Sequence, residues 1–314
     1  GALLHTALRY WISQALLQAT ALAQKRTPAE IVANEYECVI ATDPIPILGM
    51  CPTPQTFMVE KMIMKGVDIL PHGSFANVET DLGSGGQKLI DYAAFVSQLI
   101  GILGGAGYKP AIHLDVYGTI GELFDSDMAL MAEYVGCVAD AAAPYDLYLE
   151  TPMIAESRQG QIDAFRDLRV ALGDRGSTVK LVADEWCNTL DDIRAFADAR
   201  AADYLQVKAP DLGGINHLPG PDSLVVPEHF PVMFLDMVHG LLNVLLVREL
   251  SPVVPVILND AHDAQDLVCL GNDRVLAGHV PGGNAVRVQE QFHDPGDRLA
   301  VGHDAQVVTP IFFG

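Results

Sequence analysis

Apolar positions along this chain first recur every three to four residues and then give way to short unbroken runs. Leu4, Leu8, Ile12, Leu16 and Ala19 fall on one face of a helix, which predicts an amphipathic opening helix, with Lys25 and Arg26 at its C-terminal end. Thr27-Pro28-Ala29-Glu30 is a capping box with proline at the first helical position and starts a second helix reaching about Asn34. From Val39 the period changes. Residues 45–48 form a short apolar run ended by Gly49, and residues 61–70 carry a mixed strand signal closed by Pro71-His72-Gly73. Residues 87–103 are helical by the spacing of Leu89, Ala93, Val96 and Ile100. Strands are then predicted at 111–115, 147–150, 180–184 and 204–208. Helices lie between them near 128–143, 161–172 and from a cap at Asn188 or Thr189 to Arg200.

Strand and helix alternate in units of roughly thirty residues, the signature of successive βαβ units around a parallel sheet. The predicted class is α/β, a (β/α) barrel of the TIM type. An open sheet is less favoured because no glycine-rich phosphate turn follows the first strand. After Gly214 the pattern stops: no lysine occurs beyond Leu218, and seven of the ten histidines lie beyond Asn216. Apolar runs such as 252–258 read as strands, yet no periodic helix separates them. The expected organisation is a partial barrel over residues 1–216 that carries the chemistry. Residues 217–314 are an atypical C-terminal segment, misfolded or out of frame, leaving an open six-stranded sheet with exposed edges.

The predicted strand ends carry the chemistry. Asp115, Glu150 and Asp184 each close a strand, 35 and 34 residues apart, and Lys208 closes the next one 24 residues later. In a (β/α) barrel those ends meet at one rim, so the three carboxylates converge. Unpaired, they would repel and partly protonate. A hard divalent cation resolves this, and Mg2+ suits a few carboxylates plus an anionic substrate. Gln206 and Lys208 are two apart on a strand and point to one face. Burial of Lys208 is expected to lower its pKa and suit it to take a proton from carbon. A cation bound to a substrate carboxylate would stabilise the charge that this removal creates. His72, at the end of an earlier strand, is placed to act as acid or base on the opposite face.

Composition narrows the partners. A net charge of −21 argues against nucleic acid and anionic membranes as partners. The longest apolar run, 232–247, is interrupted by Asp236, His239 and Asn243, so no spanning helix is expected. Five cysteines (Cys38, Cys51, Cys137, Cys187, Cys269) show no close pair spacing. Neither a disulfide framework nor a zinc site follows, and with no signal peptide at the start the expected compartment is the cytoplasm.

Five segments, in order, carry a resemblance: residues 4–10, 67–72, 113–121 (His-Leu-Asp-Val-Tyr-Gly-Thr-Ile-Gly), 182–189 (Val-Ala-Asp-Glu-Trp-Cys-Asn-Thr) and 206–214 (Gln-Val-Lys-Ala-Pro-Asp-Leu-Gly-Gly). They resemble methylaspartate ammonia-lyase of the enolase superfamily, over roughly residues 4–216. The resemblance implies a Mg2+-dependent barrel that reversibly eliminates ammonia from 3-methylaspartate, an amino diacid, to give mesaconate. By motif, Asp115, Glu150 and Asp184 resemble the metal ligands. Lys208 resembles the base for the C3 proton of the (S) substrate, His72 the opposite-face acid/base that also meets substrate, and Gln206 a substrate-binding glutamine. A homodimer is expected on the same ground.

Three departures are expected to matter. The family's N-terminal α+β capping domain is expected to precede this chain. Met50-Cys51-Pro52-Thr53-Pro54 stands where the family has Gln-Ser-Gly-Asp-Asp, so a thioether replaces an amide at Met50. The family's last two strands, with their Thr-Cys pair, find no counterpart after His217. Two further readings therefore stay open: a related acid/base enzyme with a changed substrate, and a catalytically inactive metal-binding chain.

Overall fold

The computed structural model describes residues 4–36, 40, 46–51 and 56–214, together with the backbone of 232–236 and 257–260. Two helices open the chain, α1 (Thr6–Gln24) and α2 (Pro28–Glu35). The Thr27/Glu30 capping box forms as expected. On α1 the apolar stripe is not the covered face. Leu8, Ile12 and Leu16 are exposed, and Tyr10 and Ala21 are buried instead.

The strands are β1 (Ile47–Gly49), β2 (Ile69–Ser74), β3 (Ala111–Asp115), β4 (Leu147–Glu150), β5 (Lys180–Ala183), β6 (Tyr204–Lys208), β7 (Val232–Asp236) and β8 (Ile257–Asp260). Each pairs in parallel with the next, and β8 pairs with β1 to close a barrel. The expected open six-stranded sheet is thus corrected. Both edges of such a sheet would carry unpaired backbone groups, and β7 and β8 satisfy them. The family's Thr-Cys pair would fall in the part of the chain beyond His217, which otherwise lies outside the described residues, as do Cys38, Cys269 and residues 52–54. The helices between strands are α3 (Thr56–Lys65), α4 (Gln87–Leu103), α5 (Thr119–Leu123), α6 (Met128–Ala142), α7 (Arg158–Asp174), α8 (Leu190–Ala199) and the one-turn α9 (Ala209–Leu212).

One element differs in type. The strand expected over 61–70 is helix α3 up to Lys65, and β2 begins only at Ile69. The helix buries Val59, Met62 and Ile63, an i, i+3, i+4 set that outweighs the β-branched content of the segment. Thr189 rather than Asn188 caps α8, in a capping box with Asp192.

Strand alternation sorts the core into two clusters. Leu70, Ile112, Leu114, Leu147, Leu149, Leu181, Ala183, Leu205 and Val207 pack outward against the helices, where Phe165 and Phe196 meet edge to face. Leu48, Ile69, Ala111, Val182 and Tyr204, with Tyr148 against them, form a separate cluster that contains no helix residue, which makes it the barrel interior. The inward parity then continues toward the C-terminal rim through His113 and Asp115, Glu150, Asp184, and Gln206 and Lys208. From Leu48, two residues further on, it reaches Met50.

Candidate active site

Left-handed backbone occurs at His72 (φ 49°) within β2 and just beyond the ends of β3, β4 and β5 at Tyr117 (φ 45°), Thr151 (φ 46°) and Trp186 (φ 64°). Such conformations are costly for side-chain-bearing residues and persist where surrounding structure over-determines them. Here the chain must turn sharply off each strand while leaving its last inward side chain at the rim. After β3 the turn continues through Gly118 (φ 80°), whose N–H donates to the Thr151 carbonyl. A Cβ at Gly118 would meet Ile154 at 2.8 Å, so only glycine fits.

At the rim the structure joins Gln206 to Glu150, Lys208 to Asp184, and His72 to the neighbourhood of Asp115 and Glu150, but among the described residues it does not bring Asp115, Glu150 and Asp184 within 4.8 Å of one another as one ligand group. Asp115 and Glu150 are paired in the β3–β4 register and are both 1 % exposed. Burial raises the Asp115 carboxyl well above its usual range, and the charges of Glu150, Asp184 and Glu185 add to the rise. Burial likewise raises Glu150, with Asp184 adding to it and a hydrogen bond from Gln206 opposing. That bond runs from Gln206 Nε2 to Glu150 Oε2 at 2.8 Å. Lys208 Nζ lies 2.6 Å from the Asp184 carboxylate. The lowered lysine pKa expected from burial is therefore corrected. Burial does push Lys208 down, but attraction and hydrogen bonding to Asp184, with Glu150 behind it, raise it further, and the net shift is upward.

His72 reaches the same rim from β2. Its Nε2 lies 3.9 Å from Asp115 Oδ2 and its Nδ1 3.7 Å from Glu150 Oε2. Its ring stacks on His113, with centroids 4.7 Å apart and planes within 10°. His113 is fully buried, and its Nε2 lies 3.1 Å from Glu150 Oε2, off a hydrogen-bonding line. Burial, with the nearby His113 and Lys208, keeps His72 well below the usual imidazole range, and burial depresses His113 to about 3.

Sequence reading passed over three participants. His113 is two residues before Asp115 and therefore on the same inward face, a signal that alternation carries directly. Glu185 accepts a hydrogen bond from the Thr151 hydroxyl and adds a fourth carboxyl near the rim, itself raised by burial. The Thr151–Glu185 pairing crosses two turns, which no periodicity reveals.

The donor set tests which cation the rim would suit. Asp115, Glu150 and Asp184 offer oxygen alone, the preference of a hard divalent ion such as Mg2+. His72, His113 and Glu150 also bring one donor atom each within 4.8 Å of one another. Imidazoles suit softer metals, and two stacked rings direct their in-plane lone pairs in parallel rather than at one point. By donor chemistry the carboxylates suit Mg2+ better, whereas by distance the group the described residues assemble is His72, His113 and Glu150.

A closed parallel barrel with inward acidic, basic and imidazole groups at one rim has the fold of muconate lactonizing enzyme from Pseudomonas putida (TM-score 0.52, 14 % identity, covering 76 % of this chain and 58 % of that one). The chain belongs to the methylaspartate ammonia-lyase family: residues 39–219 match the family's C-terminus and residues 1–37 its N-terminus. Helices α1 and α2 thus fall within the N-terminal match.

The methylaspartate ammonia-lyase of Haloarcula marismortui is 46 % identical over 217 residues, 68 % of this chain and 51 % of the relative. The Clostridium tetanomorphum enzyme is 44 % identical over 219 residues, 69 % and 53 % of the two chains. The chain spans about half the length of these relatives. The structure of Citrobacter amalonaticus methylaspartate ammonia lyase containing (2S,3S)-3-methylaspartic acid aligns with TM-score 0.71 at 38 % identity, over 83 % of this chain and 65 % of that one. A Mg complex of β-methylaspartase from Clostridium tetanomorphum aligns with TM-score 0.69 at 36 % identity, with the same coverage.

Proposed function

We propose that the rim carries out reversible, Mg2+-assisted elimination of ammonia from L-threo-3-methylaspartate to give mesaconate. The observation that carries this reading is the approach of Lys208 and His72 to one acidic cluster from different strands. The family membership and the substrate and magnesium named for the aligned structures support it.

Asp115, Glu150 and Asp184 would hold the cation, which supplies Lewis-acid stabilisation of the negative charge developing on the substrate carboxylate. Lys208, which Asp184 favours as ammonium, must first lose that proton; as the free amine it then takes the C3 proton of the (3S) substrate. The C3–H electron pair becomes the C2–C3 double bond, and neutral ammonia leaves with the C2–N pair. In the reverse direction the ammonium form of Lys208, favoured by Asp184, returns the proton to C3. His72 serves the opposite face and meets substrate there, and Gln206 orients Glu150 and binds substrate.

Met50 supports a second reading, a related acid/base enzyme with a changed diacid. Its position continues the inward parity of β1, where a thioether offers no amide donor. The wider proposal keeps a homodimer, a cytoplasmic setting, and no nucleic-acid or membrane partner; the boundary expected near residue 216 gives way to a barrel that β7 and β8 close. Among the described residues no helix is long and apolar enough to cross a membrane.

The test is incubation with 3-methylaspartate and Mg2+, following ultraviolet absorbance of the conjugated alkene and released ammonia. Turnover lost in Lys208→Ala supports the proposal. Turnover of other 2-amino diacids in its place supports the second reading. Tight Mg2+ binding with no turnover of either overturns both in favour of an inactive metal-binding chain.

A further inference from the structure

We propose that His113 is the positioning residue for His72: its ring, stacked on the His72 imidazole, holds that imidazole in the plane from which it serves the opposite face of the substrate. The inference rests on the proposed acid/base role of His72 and adds what fixes that side chain in place.

Hydrogen bonding to the rim carboxylates does not orient His72. Its contacts to Asp115 and Glu150 are 3.9 and 3.7 Å, and its Nδ1 is buried without a hydrogen-bond partner. Its backbone sits in the left-handed region where the β2–β3 register slips between Pro71 and Gly73, so the strand does not impose the usual side-chain direction. The ring contact the structure does give His72 is face to face, 4.7 Å between centroids and 10° between planes. His113 can serve as a fixed platform because it is wholly enclosed within β3, beside Glu150. A buried imidazole that makes no hydrogen bond through either nitrogen is a costly way to fill space. A leucine of similar volume would fill it without that cost, so packing alone does not account for a histidine here. A flat ring accounts for the stacking.

Glu150 Oε2 ties this platform to the lysine side of the barrel. Gln206 Nε2 donates to it at 2.8 Å, and His113 Nε2 lies 3.1 Å away. The plane of His72 is therefore referenced to the same carboxylate oxygen that Gln206 orients from β6.

Three variants separate a flat platform from a polar contact or simple filling: His113→Phe keeps a ring, His113→Leu keeps volume without one, and His113→Asn keeps polarity without one. Two readouts apply to the full chain. The first is the long-range 1H–15N spectrum of the His72 ring, which reports its tautomer and rigidity. The second is deuterium uptake from solvent at C3 of the two 3-methylaspartate epimers, (3R) reporting on the His72 face and (3S) on the Lys208 face.

The proposal expects Phe to preserve the single His72 signal and to keep (3R) exchange within about threefold of the unaltered chain. It expects Leu to broaden or split that signal and to slow (3R) exchange at least about tenfold, with (3S) exchange much less affected. Equal loss of both exchanges in Leu overturns it, since that is the mark of a merely structural role. Rescue by Asn but not Phe also overturns it, because the contact to Glu150 would then be what matters. If the unaltered chain exchanges neither epimer, the reading of function fails on its own. The spectrum then decides this inference: a His72 signal unchanged by Leu overturns it, and one disturbed by Leu but preserved by Phe supports it.

Discussion

Lys208 Nζ lies 2.6 Å from the Asp184 carboxylate, an ion pair that joins the ends of neighbouring strands β5 and β6. It reverses what burial alone would do to the lysine, holding it as ammonium. Asp184→Asn removes the largest opposing cause, so the Lys208 pKa should fall. Lysine side-chain NMR titration measures this directly, and an unchanged titration would mean that the pair does not hold the lysine's charge.

Lys208→Ala should reduce conversion of 3-methylaspartate by about 10²–10⁴-fold, the range for loss of a general base. The comparison is made at saturating substrate, so that a weakened KM is not mistaken for lost chemistry. A loss confined to KM would assign Lys208 to binding.

Gln206→Met keeps length and volume but removes the amide that donates to Glu150. The Glu150 carboxyl, already raised by burial, should rise further and compete for protons with the cation. Mg2+ affinity should fall about tenfold, as for other groups that orient a ligand from behind. Calorimetric titration gives the value. Equal affinity would detach Gln206 from the cation site.

His113, depressed to about 3 by burial, titrates near 6.5 in the unfolded chain. Below pH 6.5 the unfolded state takes up a proton that the folded state refuses. This contribution to stability is present above pH 6.5 and declines toward pH 3. His72 acts in the same direction, whereas the raised Asp115 and Glu150 act in the opposite one, gaining as pH falls. Comparing variants isolates the single group: His113→Phe should remove about 1.4 kcal/mol per pH unit from the acid-side loss. Urea unfolding at several pH values measures this. Parallel curves for the two proteins would show that His113 takes up protons equally in both states.

Phe165 and Phe196 meet edge to face between α7 and α8, both fully buried. Phe165→Ala should cost about 3–5 kcal/mol of stability while leaving Mg2+ affinity intact, because the pair lies on the helix side of the sheet. A loss of Mg2+ binding at a temperature where the variant is still folded would contradict this separation of core from rim.

Much of this architecture is legible in local pattern. The β3, β4 and β6 bounds and helix α4 follow from alternation and helical spacing, and the carboxylates at the ends of β3 and β4 follow from barrel topology. Helix α3 was masked by a methionine- and isoleucine-rich segment whose content suits either period until its buried face is known. The covered face of α1 is likewise not legible from pattern: Leu8, Ile12 and Leu16 mark an apolar stripe, but the neighbours decide which face is covered. The sign of the Lys208 shift depends on a partner 24 residues away, so it is a tertiary fact. Left-handed turns at Thr151 and Trp186 have no glycine to announce them.

The central claim is that Asp115, Glu150 and Asp184 share one cation at the rim beside Lys208. Calorimetric titration of Mg2+ into the chain and into Asp115→Asn, Glu150→Gln and Asp184→Asn tests it most directly. The account predicts a single site in the unaltered chain and at least about tenfold weaker binding in each variant, roughly 1.4 kcal/mol or more. Affinity unchanged in any one of the three would contradict it.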